Sequence, residues 1–460
     1  LKSGRTLALD SLRGISILAM MFSGVIPWDG LPVWMYHAQE PPPSHKYDPT
    51  LAGITWVDLV FPFFLFALGA AIPLALKKRI ERGTPMWQLV LGAFGRGLSL
   101  VAFAIYDQHV RPYSLASNPT TVTWQLALLG FAIAIPIWAA LPREWPIWAK
   151  GLIRGIGVAA AIAFLSKATY PDGSGFSKDR NDIILLVLAW MATFGTIAWL
   201  ATRTSITARL AVIAGLMAWR IGATVEGSEA AQWFWWDPMP WLGRPEFLHY
   251  LLIVLPGTIV GELLIGTKAP EGDTGEPITW HAWRNYALLA VTIAAIPISL
   301  VTLHGRYSLL WLIPIYSALL LVHRPNSDED RQVAQIARYS VFWITIGTLL
   351  EPFEGGIKKD PVTLSYCFLA AGLAGLLLAG ILAVSRRWKW VPFATVGQNP
   401  MFAYLAITNL IAPLWGLILT PAMSAAVAGT SAGVWVAIGK TVALATFTAL
   451  AVRFRLSLKS

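Results

Sequence analysis

GITWVDLVFPFFLFALGAAIPLAL, residues 53–76, is the stretch on which the reading of the fold turns. Its only charged residue is Asp58, and at about 1.5 Å of rise per helical residue it is long enough to cross a hydrocarbon core of about 30 Å. In lipid the backbone has no water to bond, so a spanning segment must satisfy its own N–H and C=O groups as a helix. The period-2 alternation of a membrane barrel is absent from this stretch and from the others like it. Pro62 and Pro73 would kink the helix, which neighbouring helices tolerate by re-satisfying the freed backbone groups.

Working outward, similar apolar runs recur along the chain. The 460 residues are 56% hydrophobic and 13% charged, whereas an average soluble protein carries about 25% charged residues. Hydropathy marks about 14 spans. They fall near 7–27, 54–76, 87–106, 120–141, 148–166, 182–201, 205–223, 247–266, 285–303, 307–322, 338–352, 363–385, 393–418 and 432–452. The expectation is an all-α fold, a polytopic transmembrane helix bundle of about 11–14 spans, with residues 1–460 as one transmembrane domain. The first span keeps Asp10 and Arg13 and is read as a retained helix rather than a signal peptide.

Loop charge predicts the orientation. Lys2, Arg5, Lys77–Arg82, Arg324–Arg338, Arg386–Lys389 and Arg453–Lys459 fall on one side if the spans alternate, and that side should be cytoplasmic. Loops 28–53, 107–119, 167–181, 224–246 and 353–362 face the other side and are rich in Pro, Gly and Trp. Many of the 23 tryptophans sit near span ends, as an interfacial belt requires. The net charge of +10 reads as this positive-inside bias, not as a nucleic-acid surface. The single cysteine, Cys367, excludes an internal disulfide. No Walker-type phosphate loop, HExxH, GxSxG or zinc-spaced Cys/His set is present, which argues against ATP-driven pumps, soluble hydrolases and a metal centre.

Chemistry is sought among ionisable groups at membrane depth, where each is costly unless paired or wet. Asp10 and Arg13 stand at i,i+3 on the first helix with Arg5 just before them; an internal ion pair and an anion site are both consistent with that spacing. His37 and His45 lie in the loop before Asp58. A histidine can take a proton from an attacking amine or hydroxyl, and a buried carboxylate can fix its tautomer, an arrangement suited to acyl transfer. Gln125 lies within a span, Glu354 and Lys359 follow the outer end of another, and Gln398 and Asn399 precede Pro400 in a late one. The bland readings are a solvated loop histidine, helix-to-helix hydrogen bonds, and an aromatic belt for the Trp233–Trp241 cluster.

RTLALDSLRG at 5–14, His37, and GITWVDLVFPFFLFALGAAI at 53–72 together resemble the opening of the heparan-alpha-glucosaminide N-acetyltransferase family and its bacterial relatives. The block G-x-T-x-x-D-L-V-F-P-x-F has eight fixed positions. Weaker echoes follow at Trp124-Gln125, Arg244-Pro245-Glu246, Glu354-Gly355-Gly356 with Lys359 and Ser365, and Gly397-Gln398-Asn399-Pro400 with Tyr404. The resemblance implies a transmembrane acyltransferase of the bacterial inner membrane with both termini cytoplasmic. It would move the acetyl group of cytoplasmic acetyl-CoA, as co-substrate, to an amino sugar or heparan-like glycan acceptor on the far side. It carries the catalytic histidine to His37, with Asp58 orienting it and His45 as the rival. His37 is favoured because it follows Trp34 and Tyr36. Arg5, Asp10, Arg13, Gln125 and Asn399 are the candidates for holding acetyl-CoA; Glu246, Glu354 and Lys359 are those for the acceptor.

The chain departs from the family pattern in three places. EPPPSHKYDPTLA separates His37 from the block, Gly24 stands where the family has an Asn, and Leu126 stands where it has an Arg. Two further readings remain open: a secondary transporter for sugars or organic acids, which suits the intramembrane charges, and an envelope polysaccharide O-acetyltransferase. Association as a homodimer is open as well.

Overall fold

The structure is a computed structural model that describes residues 4–28, 30–266, 282–304, 312–322, 325, 327–385, 391–418 and 431–459, with the side chains of residues 4–6, 282, 304, 312–314, 317 and 431 left aside. The expected basic positions Lys2, Arg324 and Arg386–Lys389, and the side chain of Arg5, lie outside the described residues. In chain order the helices are α1 (Gly4–Ser23), α2 (Trp56–Glu81), α3 (Met86–Val110), α4 (Pro112–Leu115), α5 (Thr121–Trp138) and α6 (Ile147–Lys167). Then come α7 (Ile183–Thr202), α8 (Ile206–Gly222), α9 (Glu229–Phe234), α10 (Leu251–Gly266), α11 (Ala282–His304) and α12 (Leu312–Leu321). The last are α13 (Asp328–Leu350), α14 (Leu364–Val384), α15 (Val391–Gln398), α16 (Pro400–Ala406), α17 (Ala412–Ile418) and α18 (Ser431–Arg453). Among the described residues the fold is all-α; outside the helices only an isolated bridge joins Ala139 to Leu458.

Eleven of the described helices are long and apolar enough to cross a membrane, and the chain is an integral membrane protein. The other three expected spans are helices too. One, α1, carries Arg5, Asp10 and Arg13; α8 has 17 residues and α12 has 10. Two boundaries differ from the sequence reading. Helix α13 starts at Asp328 because Ser327 caps it and three acidic residues fill its first turn, which a hydropathy window scores as loop. The run 393–418 is broken at Asn399-Pro400, because Pro400 has no N–H to continue the ladder, and it passes through a π-helical turn at Ile407–Ile411.

Burial sorts the helices into layers. Helix α14 is apolar all round and buried along nearly its whole length, so it is the central post of the bundle. Helices α2 and α10 pack beside it backbone to backbone. A Cβ on Gly69 would lie 2.1 Å from the Val254 carbonyl oxygen, and one on Gly261 would lie 2.3 Å from that of Ala70. Gly257 and Gly261 form a small-xxx-small stripe, the usual device for close helix approach in lipid. The outermost helix, α6, leaves Ile147, Trp148, Leu152, Ile156 and Ile162 exposed, as a lipid-facing helix should.

Candidate active site

The N-terminus of α2 builds the site. Thr55 caps the helix, and Asp58, at its third position, completes a capping box. The Asp58 carboxylate is fully buried, and its Oδ2 accepts from the backbone N–H of Thr55 at 2.8 Å and of Ala38 at 3.2 Å. Those bonds draw the loop bearing His37 onto the helix end, and the Thr55 hydroxyl reinforces them by donating to the Tyr36 carbonyl at 2.6 Å. Asp58 Oδ1 then meets His37 Nδ1 at 2.6 Å. An ionised carboxylate only accepts, so Nδ1 carries the proton and Nε2 is left as the basic nitrogen. The ring is about one-third exposed, so the histidine is oriented from a buried side and reachable from an open one.

Lys359 arrives from a distant part of the sequence. Gly355 and Gly356, both with positive φ, turn the chain sharply after the 3-10 turn Glu351–Glu354. The Gly53 N–H bonds the Ile357 carbonyl at 2.7 Å and joins that turn to the His37 loop. Lys359 Nζ ends 3.3 Å from His37 Nδ1 and 3.9 Å from Asp58 Oδ1, so imidazole and ammonium share one buried carboxylate. From below, the Tyr366 hydroxyl donates to the Asp58 backbone carbonyl at 2.6 Å and packs α14 against the start of α2.

A cavity of about 340 Å³ opens along the first half of α2, beyond Asp58. Its apolar walls are Phe61, Phe64 and Leu68 of α2, Leu100 and Phe103 of α3, Leu185 and Leu188 of α7, and Met401 of α16. Arg13, Arg96, Gln398 and Lys459 add basic and amide groups, and the Tyr404 ring forms part of the lining. Arg13 is held by Asp10 at 3.2 Å and by the Gly397 carbonyl at 3.1 Å. Arg13, midway along α1, and Lys459, beyond α18, line the same cavity, so the middle of α1 lies beside the segment that follows α18. The nearest lining residue to the dyad in sequence is Phe61, one turn beyond Asp58; His37 itself does not line the cavity.

The other expected site residues are placed elsewhere. His45, in the left-handed region, packs its ring 4.4 Å from Trp28 and 4.7 Å from Tyr36, so it braces the loop while His37 meets Asp58. Asn399 is not in the cavity: it donates to the Leu456 carbonyl at 2.9 Å and accepts from the Leu458 N–H at 3.1 Å, stapling the segment after α18. Gln125 is exposed one turn into α5, also outside the cavity lining. Glu354 spends both oxygens on the N-terminus of α14, at 2.6 Å to Leu364 N and 2.8 Å to Ser365 N. Glu246 pairs with Arg244 at 2.7 Å. Of the three acceptor candidates, Lys359 alone joins the histidine.

The sequence reading missed Arg96 and a buried network beside the cavity. Arg111 bridges Asp107 and Asp182, Tyr404 donates to Asp182 at 2.7 Å, and Asn409 donates to Asp107 at 3.0 Å. This ties the end of α3 and the start of α7 to α16 and the π-helical turn. Arg96 stood inside an expected span, and the same search for charged residues at membrane depth would have found it. Asp107 fell one residue past an expected boundary and was read as loop.

Among curated proteins none matches the chain. One family profile does, over residues 5–264, which include Arg13, His37, Asp58 and Arg96 and make up more than half of the sequence. The chain belongs to the family described as a domain of unknown function, DUF5009.

Proposed function

We propose that this protein is a transmembrane acetyltransferase. It takes the acetyl group of acetyl-CoA at the basic end of the bundle and delivers it to an amino-sugar or glycan acceptor at the His37 end. In this reading the protein sits in a bacterial inner membrane with Arg13 and Lys459 on the cytoplasmic side. The observation that carries the proposal is the His37–Asp58 pair, 2.6 Å apart through Nδ1, on a ring about one-third exposed. The cavity along α2 supports it. A volume of about 340 Å³ is at the low end for small-molecule sites, suited to the slender arm of CoA, with its phosphates beside Arg13, Arg96 and Lys459.

The chemistry follows from the tautomer. In direct transfer, Nε2 takes a proton from the acceptor amine as its nitrogen attacks the thioester carbonyl. The tetrahedral intermediate collapses with cleavage of the C–S bond, and the thiolate leaves as CoA-SH with the proton that His37 had taken. In a two-step route Nε2 itself attacks and the C–S bond breaks, giving a thiolate and an Nε2-acyl imidazolium. The acceptor amine then attacks the acyl carbon, the acyl–Nε2 bond breaks to restore neutral His37, and the proton lost by the amine goes to the thiolate to give CoA-SH. Either route uses the same nitrogen, and Asp58 stabilises the cationic ring that each one forms. Lys359, beside that carboxylate, is the group we assign to the acceptor side.

The test is to give labelled acetyl-CoA and a panel of amino sugars and hydroxyl acceptors to the purified protein, to His37→Ala and to His45→Ala, all in detergent. The expected result is transfer by the wild type, loss in His37→Ala, and transfer by whatever folded His45→Ala is recovered. Full activity in His37→Ala would overturn the assignment. The panel also separates amine from hydroxyl acceptors.

A further inference from the structure

A second and larger cavity, about 740 Å³, lies against the loop that carries His37 and the start of α2. Trp34, Ala38, Thr55 and Trp56 form one wall, and Pro297 and Leu300 of α11 form the other. Two of these residues are the ones whose N–H groups hold Asp58, at 3.2 Å from Ala38 and 2.8 Å from Thr55. The crevice therefore shares a wall with the reactive pair. At the start of α2 the N-cap Thr55 and Trp56 line this crevice, Phe61, Phe64 and Leu68 line the other, and Asp58 stands between them in sequence.

Its chemistry disfavours a bare sugar. The Ala38 and Thr55 amides are committed to Asp58 and the Thr55 hydroxyl to the Tyr36 carbonyl, and the other lining side chains are aliphatic apart from the indoles of Trp34 and Trp56. A hydroxylated ring placed there would give up most of its hydrogen bonds to water for at most the two indole N–H groups in return. The far wall belongs to a helix long and apolar enough to cross the membrane. There Val301, which also lines the crevice, and Ile293 on the same helix are half or more exposed, so the crevice runs into the lipid-facing surface of the bundle. An occupant can enter sideways from the bilayer.

Resting on the acetyltransferase reading, we propose that the acceptor is borne on a hydrocarbon chain. The chain would lie between Trp34 and Leu300, and the acceptor headgroup would be presented to His37 Nε2 at the surface. The substrate class is then a membrane-embedded amino-sugar lipid rather than a soluble sugar.

The experiment uses the full chain in nanodiscs with a photoactivatable diazirine in the alkyl chain of an amino-sugar glycoside, and a diazirine phosphatidylcholine as the comparison. Labelled peptides are mapped by mass spectrometry. Expected is labelling concentrated in the peptides bearing Trp34–Trp56 and Pro297–Leu300, competed by dodecyl glucosaminide and not by glucosamine. Leu300→Trp should reduce it tenfold or more, and Val301→Trp, at an exposed position, serves if Leu300→Trp does not fold. Equal labelling of the crevice by both probes, or labelling undiminished in the variants, would mean an ordinary lipid tail and overturn the proposal. Because the readout is binding, it stands apart from catalysis: competed labelling without acetyl transfer would sink the acetyltransferase reading and keep the lipid-borne ligand.

Discussion

A methyl group placed on Gly397 tests whether the crossing of α1 and α15 sets Arg13 at the mouth of the basic cavity. The Cβ of Gly397→Ala would lie 1.8 Å from the Asp10 carbonyl oxygen and 2.9 Å from the Gly14 amide nitrogen. A comfortable carbon–oxygen contact is about 3.3–3.6 Å, so the two helices must part by roughly 1.5 Å. Neither neighbour is a flexible side-chain tip; both are helical backbone, which cannot give locally. Overpacking typically costs about 1–3 kcal/mol, and a collision of backbone with backbone belongs at or above the upper end. The same displacement stretches the 3.1 Å bond from Arg13 to the Gly397 carbonyl beyond hydrogen-bonding range. The expected outcome is a lower apparent melting temperature in detergent and, in recovered protein, a KM for acetyl-CoA raised about tenfold, the equivalent of about 1.4 kcal/mol. Gly95→Ala is the control. Nothing lies within 4 Å of its Cβ, so it should be neutral or stabilising by about 0.5–1 kcal/mol through helix propensity. Wild-type melting and wild-type KM in Gly397→Ala would refute the argument.

Three further outcomes are expected. Asp58→Asn keeps the shape of the side chain but removes the charge that orients and stabilises the His37 ring; transfer should fall by roughly 10²–10⁴, measured with labelled acetyl-CoA. Glu354→Gln loses one of two charge-assisted bonds to the start of α14 and should destabilise the protein by about 1–2 kcal/mol, read as a lower melting temperature with the KM for acetyl-CoA unchanged. The Asp48 carboxyl is held below the usual carboxylate range by hydrogen bonds from the Thr50 hydroxyl and amide. A depressed folded pKa contributes order that is present above the unfolded value of about 3.9 and lost as pH falls through the lower one. Hydrogen exchange across residues 39–51 should therefore accelerate, beyond its intrinsic pH trend, on acidification below that range, and less so in Thr50→Val.

How much of this was legible in the sequence varies with how local the signal is. The helices were, because hydropathy is a property of contiguous residues; α13 was legible from residue 338 on, and its first ten residues, capped by Ser327 and rich in charge, were not. The dyad was half legible. Asp58 announced itself as a carboxylate in an apolar run, and His37 was favoured over His45 for its aromatic neighbours. Yet their meeting depends on Thr55 and Ala38 folding the loop back over 21 residues, and His45 becoming a packing residue depends on Trp28 and Tyr36 closing around it. Glu354 and Asn399, expected at the acceptor and acetyl-CoA sites, both bond backbone groups instead, for a common reason. Each is a polar residue near a helix end, and such groups most often serve backbone N–H and C=O groups that the helix leaves unpaired.

By itself the sequence determined that this chain is a membrane-embedded bundle of helices, and it marked a histidine and a carboxylate as partners. Apolar length and cost in lipid act residue by residue, so no partner needs to be known. Only the tertiary structure decided that Lys359, 322 residues from His37, shares its carboxylate. It also decided that Arg13, Arg96 and Lys459 surround one cavity while Asn399 does not. Those outcomes depend on which helices touch, and contact between distant segments is set by packing shape and mutual burial, which no local window records.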